Sequence, residues 1–353
     1  MKRISFLFNL LFVGFLSVGL VIADNDILGE RKKTIVKVYD VTSKDHLMIE
    51  NQFGNVNIEV WNRDEIRVDI TIKASSSSED RVQKYLDAVE ISEKRSGDQI
   101  SLKTIIDKSG FGGNWIMTRN KDGEKNFVQI DYQVSMPKTN ALYVKNSFGN
   151  TTIPTFSAPL TINQQHGNFS TTELNGNQVD VDVRFGKADI QEMGNGKLNI
   201  QYSKLQLEKA NNISLNNQFG GLWIGEVSRL DGKIGYSGAK IGTIKQSCNL
   251  KLDFSGGFKI DQLNKSVDNI DIQASYSSVV LPMANTNDYN FDVTVSYGGF
   301  KYPNDGRIMM TAQPGDDDKD RSPKLTKQYS GKVGKGTATK VRIVSTFGEV
   351  KFQ

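Results

Sequence analysis

Asp180-Val181-Asp182-Val183-Arg184-Phe185-Gly186-Lys187-Ala188-Asp189-Ile190 is the stretch on which the reading of the fold turns. Val181 and Val183 alternate with charged residues, and so do Ala188 and Ile190. Period two marks a strand with one face buried. The apolar positions fall two and four residues before Phe185 but three and five after it. This change of phase at Phe185-Gly186 predicts a bend, where a residue without a bulky side chain turns the strand.

The same cassette recurs along the chain. Its aromatic–small pairs are Phe53-Gly54, Phe148-Gly149, Phe185-Gly186, Tyr202-Ser203, Phe219-Gly220, Tyr236-Ser237, Phe254-Ser255, Tyr276-Ser277, Tyr297-Gly298 and Phe347-Gly348, with His166-Gly167 filling the slot after the second. From residue 148 to residue 297 successive pairs lie 17 to 22 residues apart. A unit of that length is too short for a strand–helix–strand crossover. It fits one coil of a β-solenoid, in which each strand pairs with its equivalent in the next coil. The predicted fold class is therefore all-β, a single-stranded parallel β-helix.

Asn51, Asn146, Gln164 and Asn217 sit two residues before the aromatic, in inward slots. Stacked amides there would hydrogen-bond along the solenoid axis, a structural role rather than a catalytic one. His166 is read in the same way, as a buried or half-buried replacement for Phe.

Two stretches interrupt the repeat. Residues 62–140 carry alternating strands at Ile66–Ile72, Gln99–Ile105 and Phe127–Met136. They also hold one helix, started by Ser78-Glu79-Asp80 and presenting Val82, Leu86 and Val89 on one face. Residues 303–340 hold an acidic loop, Asp316–Asp320, between Pro314 and Pro323. The expected organisation is a signal peptide over 1–23, then an N-terminal β-rich region with one helix over 24–140 that starts the solenoid. Regular coils follow over 141–302, then an insertion over 303–340 and a closing coil over 341–353.

Asn51-Gln52-Phe53-Gly54-Asn55-Val56-Asn57-Ile58 and Asn146-Ser147-Phe148-Gly149-Asn150-Thr151-Thr152-Ile153 repeat one pattern, Asn-x-Phe-Gly-Asn-x-x-Ile. With an export signal and an N-terminal strand–helix–strand insertion, the chain resembles the putative adhesin family of β-helical cell-envelope proteins common in Bacteroidetes. It is also similar to the head domain of putative autotransporter adhesins. The segment Val128–Pro137 followed by Leu142–Ile153 resembles the family's way into the helix, and Val341–Phe352 resembles its last coil. The resemblance spans most of residues 35–353. It implies a right-handed parallel β-helix and no catalytic residues.

Composition bounds the function. The chain has 353 residues, 44 Lys+Arg, 40 Asp+Glu, 2 His and 1 Cys. Met1–Ala23 reads as a secretory signal: Lys2 and Arg3 precede the uncharged run Ile4–Ile22, and Val21 and Ala23 occupy the −3 and −1 positions of a cleavage site. Export through the Sec route places the protein in the periplasm, on the outer-membrane surface or outside the cell. Removing residues 1–23 deletes two bases and no acid, so the formal charge of +4 falls to 42 − 40 = +2. That balance argues for no anionic partner, and no basic stripe with interleaved aromatics points to nucleic acid. Cys248 has no partner for a disulfide and is expected to be buried ahead of Leu250 and Leu252. Four glycosylation sequons, at Asn150, Asn168, Asn212 and Asn264, arise from the composition of the repeat.

The search for chemistry returns decoys. Gly331-Lys332-Val333-Gly334-Lys335-Gly336-Thr337 lacks the spacing of a phosphate loop, and Gly110-Phe111-Gly112-Gly113 is a loop. A polysaccharide lyase or glycosidase needs convergent acids on one face. The candidates are Asp180, Asp182 and Asp189 beside Arg184, and a looser set of Asp268, Asp271 and Asp292. The next outward slots are Lys197, Asn199 and Gln201, so no acidic cluster builds up, and solvated strand charges are the better reading. The serines after the aromatics have no histidine to activate them. No cofactor or metal is expected.

Trp223 is different. It lies between inward Leu222 and Ile224, so alternation points it outward. Phe258, read as its match two coils later, and Trp115, in a Gly-rich loop, complete the candidate ligand contacts, since exposed aromatics on a flat β face suit carbohydrate or protein. The expectation is a non-enzymatic secreted or periplasmic envelope protein, an adhesin or scaffold contacting a glycan or protein partner. The alternatives are an envelope polysaccharide lyase or glycosidase, and a protein that self-associates through open solenoid ends.

Overall fold

The computed structural model describes residues 29–76, 78–107, 118–119, 125–283, 288–304, 306–314, 325–336 and 339–353. The expected signal peptide, Trp115 and Asp316–Asp320 lie outside them. The described chain is all-β apart from one helix, Glu79–Asp87, and its strands join in a large mixed sheet.

The parallel part of that sheet follows from the repeat. Equivalent inward residues pair in sequence: Ile162 with Val181, Val181 with Leu198, Leu198 with Leu215, and, past Gly232 and Leu250, on to Ile272. A second row, on the strands that follow the aromatic, runs Thr171, Ile190, Leu207, Ile224, Ile241, Ile260. The apolar members of both rows are buried, with Ile190, Leu207, Ile224, Ile241, Ile260 and Ile272 wholly inaccessible. A parallel register places similar side-chain types over one another, so Val, Ile and Leu pack along each row. Truncating one of them to Ala would cost about 2–5 kcal/mol.

Antiparallel pairs extend the sheet beyond the parallel rows. Glu65–Ser75 pairs antiparallel with both Glu30–Asp40 and Lys125–Pro137, and Lys125–Pro137 joins the parallel rows through Val56–Trp61. Val89–Ser96 and Gln99–Ile106 form a hairpin whose second strand pairs with His46–Gln52. At the C-terminal end Thr326–Val333 pairs antiparallel with Tyr289–Ser296 and with Ile308–Ala312.

The helix forms where Glu79 and Asp80 favour its positive end and Lys84 its negative end. It buries Val82, Tyr85 and Leu86, spaced three and four residues apart on one face. Ser78 occupies the N-cap position without a side-chain capping bond, and Val89 opens the next strand instead of completing the helix.

The C-terminus is a departure from chain order. Thr339–Thr346 lies between Asn269–Ser275 and Tyr289–Ser296, parallel to both. Glu349–Phe352 lies in the same way between Val279–Leu281 and Gly299–Lys301. The closing segment 341–353 is thus inserted between two earlier segments, and the 289–333 strands lie beyond it.

Candidate functional site

Among the described residues, eleven have left-handed backbone without being glycine: Phe53, Phe148, His166, Phe185, Tyr202, Phe219, Tyr236, Phe254, Tyr276, Tyr297 and Phe347, with φ between 48° and 61°. They are the aromatic positions of the repeat. In extended backbone Phe185 would point inward after outward Arg184. The left-handed φ turns its ring outward and passes the inward slot of the corner to Gly186. Aromatic residues take this conformation at a cost of about 1 kcal/mol or more each.

The compensation is visible in the rings. They stack one on the next in ten steps with centroids 4.7–5.1 Å apart and planes within 1–12°. A stacked pair contributes about 0.5–1.5 kcal/mol beyond its buried area, which matches the backbone cost. At the interstrand spacing of about 4.8 Å the ladder extends on the order of 50 Å. The ring faces cover one another and the edges meet solvent: Phe219 is 42% and Tyr236 53% exposed. His166 belongs to the stack, 4.7 Å from Phe148 and 4.8 Å from Phe185. It is exposed, not buried, because the left-handed backbone turns its ring outward with the others. In spatial order from Phe185 the ladder alternates Phe and Tyr without a break: 185, 202, 219, 236, 254, 276, 347, 297. Chain order breaks that alternation between Tyr276 and Tyr297, and the inserted Phe347 restores it.

Where the residue after the ring is glycine, its small size has a steric cause. A Cβ on Gly149, Gly167, Gly186 or Gly220 would stand 1.9 Å from a carbonyl oxygen of the preceding corner. Where serine replaces glycine, its hydroxyl bonds the corner. Ser203 Oγ accepts the Gly186 N–H at 3.0 Å and donates to the Gln201 carbonyl at 2.8 Å.

The inward amides Asn51, Asn146, Gln164 and Asn217 are buried as expected, but they do not bond to one another. Asn51 Nδ2 donates to the Ile130 carbonyl at 2.9 Å, Asn146 Nδ2 to the Gly54 carbonyl at 3.1 Å, and Gln164 Nε2 to the Gly149 carbonyl at 2.6 Å. Asn217 Nδ2 donates to the Ser237 hydroxyl at 2.9 Å, so each of the four amides satisfies a neighbouring group within the buried corner. An asparagine ladder exists on the outer side of the corner. Asp131 Oδ1 accepts the Asn55 N–H, Asn55 Oδ1 that of Asn150, and Asn150 Oδ1 that of Asn168, all within 2.8–2.9 Å. The second Asn of the Asn-x-Phe-Gly-Asn pattern therefore has a physical role.

The acidic candidates are dispersed. Asp180 faces Lys197 in register. Arg184 makes a two-pronged contact with Asp182 at 2.9 Å on each prong, and Asn199 donates to the same carboxylate. Asp189 pairs with Lys187 at 2.6 Å. The inserted strand places Arg342 in register between Asp271 and Asp292, 3.2 Å from Asp271. Glu173, Asp189, Glu192 and Glu208 do line one shallow groove, but Lys209 stands in it. Asn175 bonds Glu173, and Gln206 bonds Glu208. Among the described residues no group of three metal-ligating side chains occurs. Cys248 is wholly buried, and burial, with the nearby Asp231 charge, holds its thiol well above its ordinary pKa.

Of the three candidate contacts, Trp223 is half-buried on the outer face, in register with Gln206 and Lys240. Phe258 is wholly buried. The corner at Phe254 carries one residue more than its neighbours, through Gly256-Gly257, so the register of Lys259 with Lys240 puts Phe258 in the inward row under Ala239. Trp115 lies outside the described residues. Trp223 stands in a shallow groove of about 470 Å³ with Lys187, Lys204, Lys240, Gly221 and Gly238. Lys187 and Lys204 are direct cross-strand neighbours. Lys187 pairs with Asp189, and Lys240 with Asp261 at 3.1 Å. Lys204 makes no ion pair among the described residues. No helix among the described residues is long and apolar enough to cross a membrane.

No family model and no curated protein matches the chain. Solved structures similar to it over most of its length are distant. A putative cell adhesion protein of Clostridium sporogenes is 10% identical over 91% of this chain and 99% of its own, with a TM-score of 0.23. A putative adhesin of Parabacteroides merdae is 14% identical over 92% and 96%, with a TM-score of 0.34. A putative lipid binding protein of Parabacteroides distasonis is 14% identical over 92% and 97%, with a TM-score of 0.30.

Proposed function

We propose that the chain winds as a single-stranded parallel β-helix and serves as a non-enzymatic protein of the cell envelope, exported by its N-terminal signal and contacting a glycan or protein partner through the face that carries Trp223. The observation that carries this reading is the placement of Trp223. A large aromatic stands on a flat outer face, half-open to solvent, in a groove paved with glycine and rimmed with lysine. Large exposed aromatics on flat faces recur where sugars and proteins are bound. The helical winding is supported by the unbroken succession of parallel registers from Ile162 to Ile272 and by a ring ladder that advances by one interstrand spacing per repeat.

The test is a glycan and envelope-protein binding screen on the exported protein, with Trp223→Ala as the control. Partners captured by the wild type and lost at least tenfold by the variant support the reading. Partners retained in full by the variant count against it.

A second reading, an envelope polysaccharide lyase or glycosidase, is favoured by one observation, the groove shared by Glu173, Asp189, Glu192 and Glu208. It requires turnover of a polysaccharide that Glu192→Gln or Glu208→Gln abolishes. Such turnover would displace the binding reading.

A further inference from the structure

Most of the glycines discussed above are imposed by the fold, but Gly221, Gly238 and Gly256, and with them Gly299, are not, and the first two line the groove of Trp223. Gly221 and Gly238 lack the left-handed φ that favours glycine, and a Cβ on either would stand in open space. Both stand just before a strand, Leu222–Gly235 and Ala239–Asp253, and glycine loses more chain freedom on folding than residues with side chains, so neither φ nor space calls for it here. What they do is keep a trough open. Its floor is the backbone of Gly221 and Gly238. Trp223 stands along it, two residues after Gly221. The exposed rings of Phe219 and Tyr236 precede the two floor glycines by two residues, and that of Tyr202 precedes Lys204 by two.

The polar groups at this trough are also unexplained by folding. The hydroxyls of Tyr202 and Tyr236, on alternate rungs about 10 Å apart, make no hydrogen bond to any described residue. Lys204 lies directly beside Lys187, a like-charge neighbour that disfavours the sheet. Lys187 is relieved by Asp189, whereas Lys204 has no counter-ion among the described residues. On the other flank Lys240 and Lys259 are likewise adjacent and share a single carboxylate, Asp261. Four lysines therefore face two aspartates. The acids Glu173, Glu192 and Glu208 belong to a neighbouring groove beyond Gln206 and set a boundary of sign.

We propose that this trough binds an acidic glycan chain, with a sugar ring lying flat on the indole of Trp223, hydroxyls reaching Tyr202 and Tyr236, and an anionic group at Lys204. This deepens the Trp223 binding reading and rests on it. The site offers one aromatic plane, phenolic hydroxyls and unpaired positive charge over a bare peptide floor. A sugar with a carboxylate or sulfate has a matching C–H face, hydroxyl rim and charge. A lipid chain would need a continuous apolar floor.

The test is calorimetric titration of the exported protein with three hexasaccharides: a homogalacturonan for the carboxylate source, a chondroitin sulfate for the sulfate source, and a neutral cellulose fragment. At least one acidic arm should bind tenfold or more tighter than the neutral one. Gly221→Val and Gly238→Val should each weaken that binding at least tenfold while leaving Tm unchanged or raised, because a Cβ there meets no atom and valine narrows the unfolded ensemble. Lys204→Met should bring acidic and neutral binding to within about twofold. Should either valine variant lower Tm, Lys204→Met, an exposed change, decides. The proposal is overturned if neither acidic arm is preferred, or if folded valine variants and Lys204→Met bind as the wild type does. Loss of partners in Trp223→Ala with those variants unaffected would sink the trough and leave the broader reading standing.

Discussion

The ring of Phe347 stacks on that of Tyr276 at 4.7 Å and 10°, although the strand carrying Tyr297 comes between them in the chain. Phe347 meets Tyr297 on its other face, also at 4.7 Å. Tyr297 is the end of the ladder and has one ring neighbour, whereas Phe347 has two. Phe347→Ala is expected to lose about twice the stacking energy of Tyr297→Ala, roughly 1–3 kcal/mol against 0.5–1.5 kcal/mol. Urea denaturation of the two variants checks this, and equal losses would argue that the stack contributes nothing beyond burial.

The left-handed backbone separates two truncations of the same ring. Phe219→Ala removes the stack but keeps a Cβ at a φ of 57°, whereas Phe219→Gly removes both. Despite the greater freedom of glycine in the unfolded chain, Phe219→Gly is expected to be the more stable variant by about 1 kcal/mol. Thermal unfolding would reveal the order, and a more stable alanine variant would mean that the corner carries no strain.

Gly186→Ala should be among the most damaging single changes. Its Cβ would meet the Gly167 carbonyl oxygen at 1.9 Å, and backbone on both sides is fixed by the sheet. A loss of about 3 kcal/mol or more is expected. Ser203→Gly, which deletes only hydroxyl bonds at the same kind of corner, should cost about 1 kcal/mol. Chemical denaturation that ranks the two the other way would refute the steric account of the small residue.

Burial raises the pKa of the Cys248 thiol, so the folded chain holds a proton that the unfolded chain releases above about pH 8.5. The folded state binds more protons in that range, and stability falls as pH rises. Its contribution is intact below about pH 8.5 and shrinks above it. Wild-type Tm should drop more steeply between pH 8.5 and 10 than that of Cys248→Ala. A disulfide-forming thiol reagent should react only on unfolding. Fast labelling of native protein at pH 8 would contradict the buried assignment.

Much of this architecture was legible in residues alone, and for one reason. In a parallel register, the alternation within a repeat and the spacing between repeats together specify which residues lie over which. Val181, Leu198 and Leu215 could be placed in one row before any coordinates, as could the outward alternation of Trp223. The helix at Glu79–Asp87 was legible from its charges and apolar spacing. Phe258 was misplaced because a single extra residue at Gly256-Gly257 inverts the alternation after it, and counting from the aromatic does not register that. The buried reading of His166 failed because hydrophobic type was taken as a sign of burial. A left-handed φ had turned every ring of that row outward.

By itself, then, the sequence determined the strands, their inward faces, the row to which each repeat contributes, and the flat face on which Trp223 stands. These are local properties, set by side-chain period and by the size of the residue at the corner. Only the tertiary structure decided that the rings form an exposed stack, that residues 339–353 are inserted between earlier segments so that Phe347 and Arg342 gain neighbours distant in the chain, and that Gly221 and Gly238 floor a groove beside Trp223. Those depend on which backbones meet and in what order. Pairing between distant strands is settled by the packing of the whole chain, and no window of sequence contains it.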